Sequence, residues 1–211
     1  MTGLIDISPP LRVGMGVFPG DALFETSQTF AIGPGCPVNV AGIGMSTHCG
    51  AHADAPLHYD AAGASIDQVD LADFIGPARV IDARGGDLLC QFEEIAKALD
   101  GAPPRVLLRL MNRLDPMVWP SGFRALAAAT VEGLAARGVR LIGVDVPSVD
   151  LETSKDLPSH MACHRHDIRI VENLVLADVV TGDYELIALP LKLQGLDAAP
   201  LRAVLRPLVR S

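Results

Sequence analysis

The sequence predicts one α/β domain, residues 1–211, built on a mixed and partly parallel sheet. Strand patterns at Arg79–Asp82, Val106–Leu110 and Arg140–Val144 alternate with two helix patterns, and parallel strands require such crossover connections. The chain has 211 residues, of which 49% are hydrophobic, so it is long enough to bury a sizeable core. No repeat, linker or low-complexity tract divides it.

The N-terminal third reads as short strands separated by turns. Leu4–Ser8 predicts a strand that two following prolines stop. Phe24–Ile32 and Val38–Met45 predict two further strands joined by a Gly-Pro-Gly-Cys-Pro turn. Between these segments, a turn-rich loop presents Phe18, and Leu71–Ile75 later predicts one helical turn. This part of the chain therefore supplies hairpins and loops rather than crossover helices.

Two helices are predicted in the middle of the chain. The amphipathic segment Phe92–Leu99 is expected to start near Asp87 and to end at Gly101. The Ala-rich segment Phe123–Arg137 lacks internal proline and ends at Gly138, a combination that favours a helix with a glycine after its last turn.

The C-terminal third is less regular in its pattern. Residues 146–166 predict an irregular polar segment, since prolines interrupt it. Leu174–Val180 fits a helix or a strand equally well, and Tyr184–Leu189 predicts a final strand.

Composition and charge exclude several classes of protein. A formal net charge of −8 and the lack of a basic block argue against a nucleic-acid partner. No apolar run reaches the roughly 18 residues of a membrane span, and the N-terminus has no signal-peptide pattern, so a cytoplasmic protein without a membrane partner is expected. Four cysteines are expected to remain thiols: Cys36, Cys49, Cys90 and Cys163.

One short segment concentrates the polar chemistry of the chain. His48, His52, Asp54 and His58 fall within eleven residues of a protein that has six histidines. A straight strand would hold His48 and His52 about 13 Å apart, and a helix would rotate Asp54 away from both. The side chains can converge only if the backbone bends, and Gly50 is placed to allow the bend.

Imidazoles and a carboxylate are ligands that zinc accepts, and manganese or iron tolerate the same set. A single histidine is more often structural, but four potential ligands in so short a segment indicate a metal site. A bound divalent ion lowers the pKa of water to about 7, which suits hydrolysis. The sequence has no Gly-x-Ser-x-Gly motif, the pattern that would indicate a serine nucleophile. The segment therefore predicts a metal-dependent hydrolase, with a non-catalytic metal-binding protein as the alternative.

The pattern His-x-Gly-Ala-His-x-Asp-x-Pro-x-His at residues 48–58 resembles the HxGTHxDxPxH signature of the cyclase-like metal-dependent hydrolases. Within that superfamily, the chain is similar to the bacterial kynurenine formamidases over nearly its whole length, through residues 6–10, 17–21, 143–150 and 172–174. The resemblance implies a swivelling β/β/α fold, a homodimer and two zinc ions. It also implies hydrolysis of N-formyl-L-kynurenine to L-kynurenine and formate in tryptophan catabolism.

Motif matching then implies roles for individual residues. The implied metal ligands are His48, His52, Asp54, His160 and Glu172. The first three would bind one zinc ion; Asp54 would bridge to a second, which His160 also binds, and Glu172 would contact both. His58 matches the general acid/base of the family, and Phe18 matches an aromatic residue of the substrate pocket. From the residues alone, any one of His160, His164 and His166 could be the distal ligand.

Two positions depart from the family pattern. Ala51 replaces the usual threonine, and Phe18 stands where related enzymes often have tryptophan. The substrate range therefore stays open, and a related amidohydrolase acting on isatin, with manganese as the metal, is the second hypothesis.

Other polar and aromatic residues have less specific expectations. His164 and His166 are expected to orient ligands or to lie at the surface. Asp145 and Asp150 fit a cap or loop hydrogen bond as well as a functional role. For Trp119, core packing is favoured over a pocket wall or a dimer contact.

Overall fold

The computed structural model describes residues 3–113 and 115–208, and a nine-stranded sheet is its centre. The strands described are β1 (Ile5–Asp6), β2 (Glu25–Phe30), β3 (Val40–Gly44), β4 (His52–Asp54), β5 (Ile75–Asp82), β6 (Leu89–Cys90), β7 (Arg105–Arg109), β8 (Ala125–Leu126), β9 (Leu141–Val144), β10 (Arg169–Glu172), β11 (Gly182–Ile187), β12 (Ala198–Pro200) and β13 (Val204–Pro207). The α-helices are α1 (Phe92–Ile95), α2 (Ala128–Ala136) and α3 (Pro158–Arg165), and 3₁₀ helices cover Pro56–His58, Ile66–Gln68, Leu71–Phe74 and Ala96–Leu99.

The main sheet is mixed, with the order β1-β13-β11-β5-β7-β9-β10-β4-β12. Its central pairs β5–β7, β7–β9 and β9–β10 are parallel, and the flanking pairs are antiparallel. This confirms the predicted α/β class and the partly parallel sheet. None of the described helices has the length and apolar character needed to cross a membrane.

The sheet separates two buried apolar clusters. Along β7, Val106 and Leu108 point into one cluster and Leu107 into the other, as the two-residue period of a strand requires. Helices α1, α2 and α3 pack on the Val106 side. Because both faces are covered, all five residues of β7 are buried, which is typical of a central parallel strand.

Strand β5 is longer than the predicted Arg79–Asp82. It begins at Ile75, directly after the 3₁₀ turn at Leu71–Phe74. Pro77 is tolerated because β7 joins β5 only from Ala78 onward, so that the proline has one neighbouring strand.

The predicted helix boundaries needed two corrections. Helix α2 begins at Ala128 rather than at Phe123, because the backbone N–H groups of Ala125 and Ala127 donate to the carbonyls of Leu88 and Cys90 and so pair β8 with β6 instead. Helix α1 is capped by Gln91, not near Asp87; its cap and the Glu94 side chain bond reciprocally.

The prediction of an irregular segment over 146–166 was wrong at its C-terminal end. Helix α3 starts with Pro158 in its first turn, where the missing N–H costs nothing. The carboxylate of Asp150 accepts hydrogen bonds from the backbone N–H groups of Ser159 and His160, which have no partner within the helix, and this stabilises the helix end. For the ambiguous segment Leu174–Val180 the structure shows neither helix nor strand.

Strands β2 and β3 form a separate hairpin that confirms the two strands predicted around the Gly-Pro-Gly turn. Every residue of β2 is exposed, and β3 is at most half-buried. Its exposed apolar side chains include Phe30, Val40 and Ile43, the last 67% exposed. A two-stranded ribbon of this kind buries little of its own apolar surface.

Candidate metal centre

The centre is built on β4, which lies between β10 and β12. His52 and Asp54 are two residues apart and therefore point to the same face of the sheet. Ala51 and Ala53 pack in the apolar cluster on the opposite face, so the hydroxyl that Ala51 lacks would lie away from the site. Glu172 is paired with His52 across the β4–β10 ladder, which brings it beside the same face.

The bend expected at Gly50 is present, and it turns the chain so that the His48 side chain lies beside β4. Gly50 has φ +69°, and a Cβ atom there would meet the Leu11 side chain at 2.4 Å. The Gly50 carbonyl accepts a hydrogen bond from His52 Nδ1 at 2.9 Å. As a result, the rings of His48 and His52 lie 4.9 Å apart, centre to centre.

The carboxylate of Asp54 stands at the middle of the cluster. Its Oδ1 lies 3.2 Å from His48 Nδ1 and 3.3 Å from His52 Nε2. Its Oδ2 lies 3.4 Å from His160 Nε2. Glu172 spans the same gap, with one oxygen 3.4 Å from His52 Nε2 and the other 3.7 Å from His160 Nε2. All five residues named as metal ligands are therefore brought together, although their roles stay predictions.

The donor atoms of this cluster fit a divalent cation. His52 Nε2 and both oxygens of Asp54 are buried and have no hydrogen-bond partner among the described residues. Burying unpaired carboxylate oxygens is costly unless a cation or a donor satisfies them. Nitrogen and carboxylate donors of this kind suit zinc, manganese or iron. Nδ1 or Nε2 of His48 and His52, together with one Asp54 oxygen, lie close enough to share one ion.

The electrostatics of the centre favour positive charge. Burial lowers the pKa of His52, but the nearby carboxylates of Asp54 and Glu172 outweigh it and raise that pKa to about 10. Burial likewise lowers the pKa of His160, whereas Asp150 and Asp54 raise it to about 10. Burial alone would raise the pKa of Asp54, yet the three surrounding histidines hold it well below its usual range. The same carboxylates that favour protonated imidazoles would favour a metal ion.

Each of the three imidazoles is anchored through the nitrogen that faces away from Asp54. The Gly50 carbonyl holds His52, and Asp150 Oδ2 lies 2.7 Å from His160 Nδ1. Asp197 Oδ2 lies 3.0 Å from His48 Nε2. Such outer contacts fix the tautomer and the direction of a metal-binding histidine.

Asp197 was not predicted from the sequence as a residue of the site. It follows a Gly-Leu pair in an ordinary turn, 149 positions from His48, and no local pattern distinguishes it from a turn-capping aspartate. For Asp150, the expected cap is present, and the contact with His160 is an additional role. Asp145 is a structural residue: its Oδ1 accepts the N–H groups of Leu110 and Met111, and burial raises its pKa to about 7.

A cavity of about 320 Å³ opens above the cluster, within the size range of small-molecule sites. His58 stands in its wall, with its ring 5.8 Å from that of His160. Partial burial lowers the pKa of His58, so that its imidazole is neutral at pH 7. Phe18, the residue expected in the substrate pocket, lies at the rim of this cavity.

The core-packing interpretation of Trp119 was incomplete, because the residue also lines the cavity. Its ring meets Phe18 edge to face at 5.4 Å and packs on Phe123 at 6.2 Å. Its Nε1 donates to Glu152 at 3.0 Å, which holds the indole in place. The loop carrying Phe18 is joined to this segment by a hydrogen bond from Gly16 N to the Pro116 carbonyl.

Two histidines lie outside the cavity. His164 pairs with Asp60 at 3.1 Å, and His166 pairs with Glu132. Both contacts are at the surface, which agrees with the surface role expected for them.

Comparison with known proteins places these observations in a family. The sequence model of the family described as putative cyclase matches residues 5–151. A protein named kynurenine formamidase from Delftia acidovorans is 55% identical over 205 residues, covering 97% of this chain and 98% of the relative. A second protein of that name, from Bordetella pertussis, is 52% identical over 208 residues, covering 99% and 100%.

Solved structures show the same fold. A structure described as a potential metal-dependent hydrolase with cyclase activity superposes with a TM-score of 0.82 at 29% identity, covering 96% of each chain. Isatin hydrolase A from Labrenzia aggregata gives a TM-score of 0.83 at 23% identity, covering 97% of this chain and 93% of the neighbour, and shows likeness of fold alone. The chain belongs to the cyclase family.

Proposed function

We propose that residues 1–211 form one metal-dependent hydrolase domain that converts N-formyl-L-kynurenine to L-kynurenine and formate. The observation that carries the proposal is the set of buried, unpaired donor atoms of His52 and Asp54 at the base of an aromatic-walled cavity. The full-length relatives at 52–55% identity, named kynurenine formamidase, support this substrate.

The proposed cofactor is zinc, with two ions per chain, and manganese would suit the same ligands. The two oxygens of Asp54 support a bridging role, because one faces His48 and His52 while the other faces His160. In the same way, one oxygen of Glu172 faces His52 and the other faces His160. When bound, the metal supplies Lewis acidity and lowers the pKa of water to about 7.

His58 is the proposed general acid/base. At neutral pH its lowered pKa leaves the imidazole free to accept a proton from water. Water adds to the formyl carbon, the carbon–nitrogen bond breaks, and the proton held by His58 passes to the nitrogen of the departing aromatic amine. The balance is one formamide and one water giving one amine, one formate and one proton. No organic cofactor is needed.

The cavity walls suit an aromatic substrate that carries an ammonium group. The edge-to-face pair of Phe18 and Trp119 offers a surface for the aryl ring. Asp21, Asp115 and Glu152 line the same cavity, and no lysine or arginine is among its described lining residues. Isatin, the second candidate substrate, is neutral and has no ammonium group to pair with these carboxylates, so N-formylkynurenine is favoured.

Removing the metal tests the proposed function. Dialysis against a chelator should abolish hydrolysis of N-formylkynurenine, and zinc should restore it in proportion to the metal bound per chain. A mock-dialysed sample is the control, and isatin is assayed with zinc and with manganese. Full activity without metal would contradict the metal mechanism. Turnover of isatin alone would favour the second substrate, and metal binding without either activity would indicate a non-catalytic protein.

Replacing Phe18 with alanine should raise KM for N-formylkynurenine by up to about tenfold while kcat changes little. An aromatic contact is worth about 0.5–1.5 kcal/mol, and about 1.4 kcal/mol corresponds to a factor of ten. Leu23→Ala, at an exposed neighbour that does not line the cavity, is the control. An unchanged KM in Phe18→Ala would argue against substrate contact at this rim.

We infer that the protein is a homodimer that uses the β2–β3 hairpin. Between Glu25 and Gly44 the hairpin carries one charged residue, and its exposed apolar side chains suit burial against a second copy. Sedimentation velocity should show a dimer that Ile43→Lys weakens. Val180→Lys, which changes a 73% exposed valine outside the hairpin, should leave it intact. A wild-type monomer would rule the dimer out.

A further inference from the structure

Asp197 is held at a fixed place beside the centre by the main sheet. It directly precedes β12, in which Ala198 pairs with Asp54 across the ladder. The carbonyl of Asp197 accepts the N–H of Ala55 at 2.8 Å. The backbone of Asp197 is therefore tied to the strand that carries the proposed ligands, although it is far from them in sequence.

The Asp197 carboxylate stands between two imidazoles. Its Oδ2 lies 3.0 Å from His48 Nε2 and 3.5 Å from His58 Nδ1. Its Oδ1 accepts a hydrogen bond from the hydroxyl of Thr47 at 3.1 Å, which fixes the plane of the carboxylate. The contact with His58 is longer than an ordinary hydrogen bond, but catalytic contacts of this kind commonly tighten when substrate is bound.

We propose that Asp197 is a positioning residue for both histidines, an inference that rests on the proposed function. By accepting a hydrogen bond from the Nε2–H group of His48, Asp197 leaves the lone pair of His48 Nδ1 directed at the centre near Asp54. By facing His58 Nδ1, it leaves Nε2 as the nitrogen that exchanges protons with water and with the departing amine. An aspartate that orients a catalytic histidine through Nδ1 acts on the same principle in hydrolytic triads.

An alternative is that Asp197 binds a metal ion itself together with His48 and His58, since their donor atoms lie close enough. Three observations favour positioning. The Asp197 side chain is 40% exposed, and its oxygens already contact Thr47 and the two imidazoles. The buried atoms without partners belong instead to His52 and Asp54. An ion on the Asp197 side would also require His48 Nε2, the nitrogen that faces away from Asp54.

The test compares Asp197→Ala and Asp197→Asn with wild type in two measurements. Metal affinity, from chelator competition, should fall about 10–100-fold in Asp197→Ala, the usual cost of losing an outer contact to a metal-binding histidine. Turnover at saturating metal is then compared on formanilide and on 4-nitroformanilide. The departure of 4-nitroaniline depends less on protonation of the nitrogen, because the nitro group stabilises negative charge there. The variant should lose kcat on formanilide and much less on 4-nitroformanilide.

The matched control is Asp67→Asn. Asp67 accepts the N–H of Gly195 and so stabilises the turn before Asp197, but it touches neither imidazole. It should leave both measurements unchanged. Asp197→Asn keeps the size and one acceptor oxygen of the side chain, so it should fold as wild type does and show a smaller loss than Asp197→Ala.

The outcomes separate the hypotheses. If the Asp197→Ala variant lost kcat equally on both anilides, or regained full kcat on both at saturating metal, Asp197 would not be a positioning residue for His58. Loss of one metal equivalent per chain at saturation would make Asp197 a ligand and overturn the proposal. Failure of the wild type on every formamide would instead reject the proposed function, while the metal-affinity comparison would still test the contact with His48.

Discussion

Asp54→Asn should lose both metal binding and hydrolytic activity while keeping the fold. Asp54 is the residue that all three histidines of the centre face, and asparagine removes its charge and one of its two acceptor oxygens. A catalytic metal supplies several kcal/mol of transition-state stabilisation, so turnover should fall by about 10³-fold or more. Metal content per chain and kcat on N-formylkynurenine are the measurements, with thermal unfolding to verify folding.

The matched control is Asp145→Asn. Asp145 is as deeply buried as Asp54, but its carboxylate only accepts backbone N–H groups through Oδ1, which asparagine retains. Because burial raises the pKa of Asp145, replacing the carboxyl with a neutral amide costs little at pH 7. This variant should keep its metal and its turnover. Retention of full metal content by Asp54→Asn would contradict the central role given to that carboxylate.

The sequence predicted the parts of the fold and site that depend on local pattern. Continuous apolar runs predicted the parallel strands β7 and β9, because these two strands are buried on both faces and leave a clear signal. The cluster from His48 to His58 was visible because its ligands share one bend at Gly50. Both features need only a few adjacent residues to be recognised.

What the sequence did not predict depends on contacts between distant segments. The β8 strand replaced the start of a predicted helix because two backbone N–H groups found carbonyls on the segment around β6. Helix α3 was missed because the carboxylate that accepts its first N–H groups belongs to Asp150, eight residues before Pro158. Asp197 reaches the centre only through the pairing of β12 with β4. The resemblance named His160 and Glu172, whereas pattern alone left His160 as one of three candidate ligands, with His164 and His166, and gave Glu172 no metal-binding role.

The arrangement also explains how a short bend can hold a rigid centre. The β4 strand has neighbours on both sides, and each neighbouring segment contributes a carboxylate: Glu172 from β10 and Asp197 from the residue before β12. The ladder hydrogen bonds therefore set the distances between the carboxylates and the histidines. A site built on paired strands is held more precisely than one on free loops.

His58→Asn should lower kcat by about 10²–10⁴-fold, the usual contribution of a general acid/base, and should leave the metal content unchanged. His58 lies on the 3₁₀ turn after β4 and in the cavity wall, and its ring nitrogens are not among the buried, unpaired atoms of the cluster, although one of them lies within 4.8 Å of an Asp54 oxygen. Its loss removes proton transfer to the departing amine, so 4-nitroformanilide should be affected far less than formanilide. The pair of substrates and the metal content are measured together.

His164→Asn provides a control matched in exposure, since the side chains of His58 and His164 are both 32% exposed. His164 pairs with Asp60 outside the cavity, so its replacement should change neither kcat nor metal content. If His58→Asn lost its metal as Asp54→Asn does, His58 would be a ligand rather than an acid/base. If it kept metal and lost activity equally on both anilides, its role would lie in binding substrate. Only retained metal combined with a leaving-group-dependent loss supports proton transfer by His58, because that combination requires the chemical step itself to depend on the imidazole.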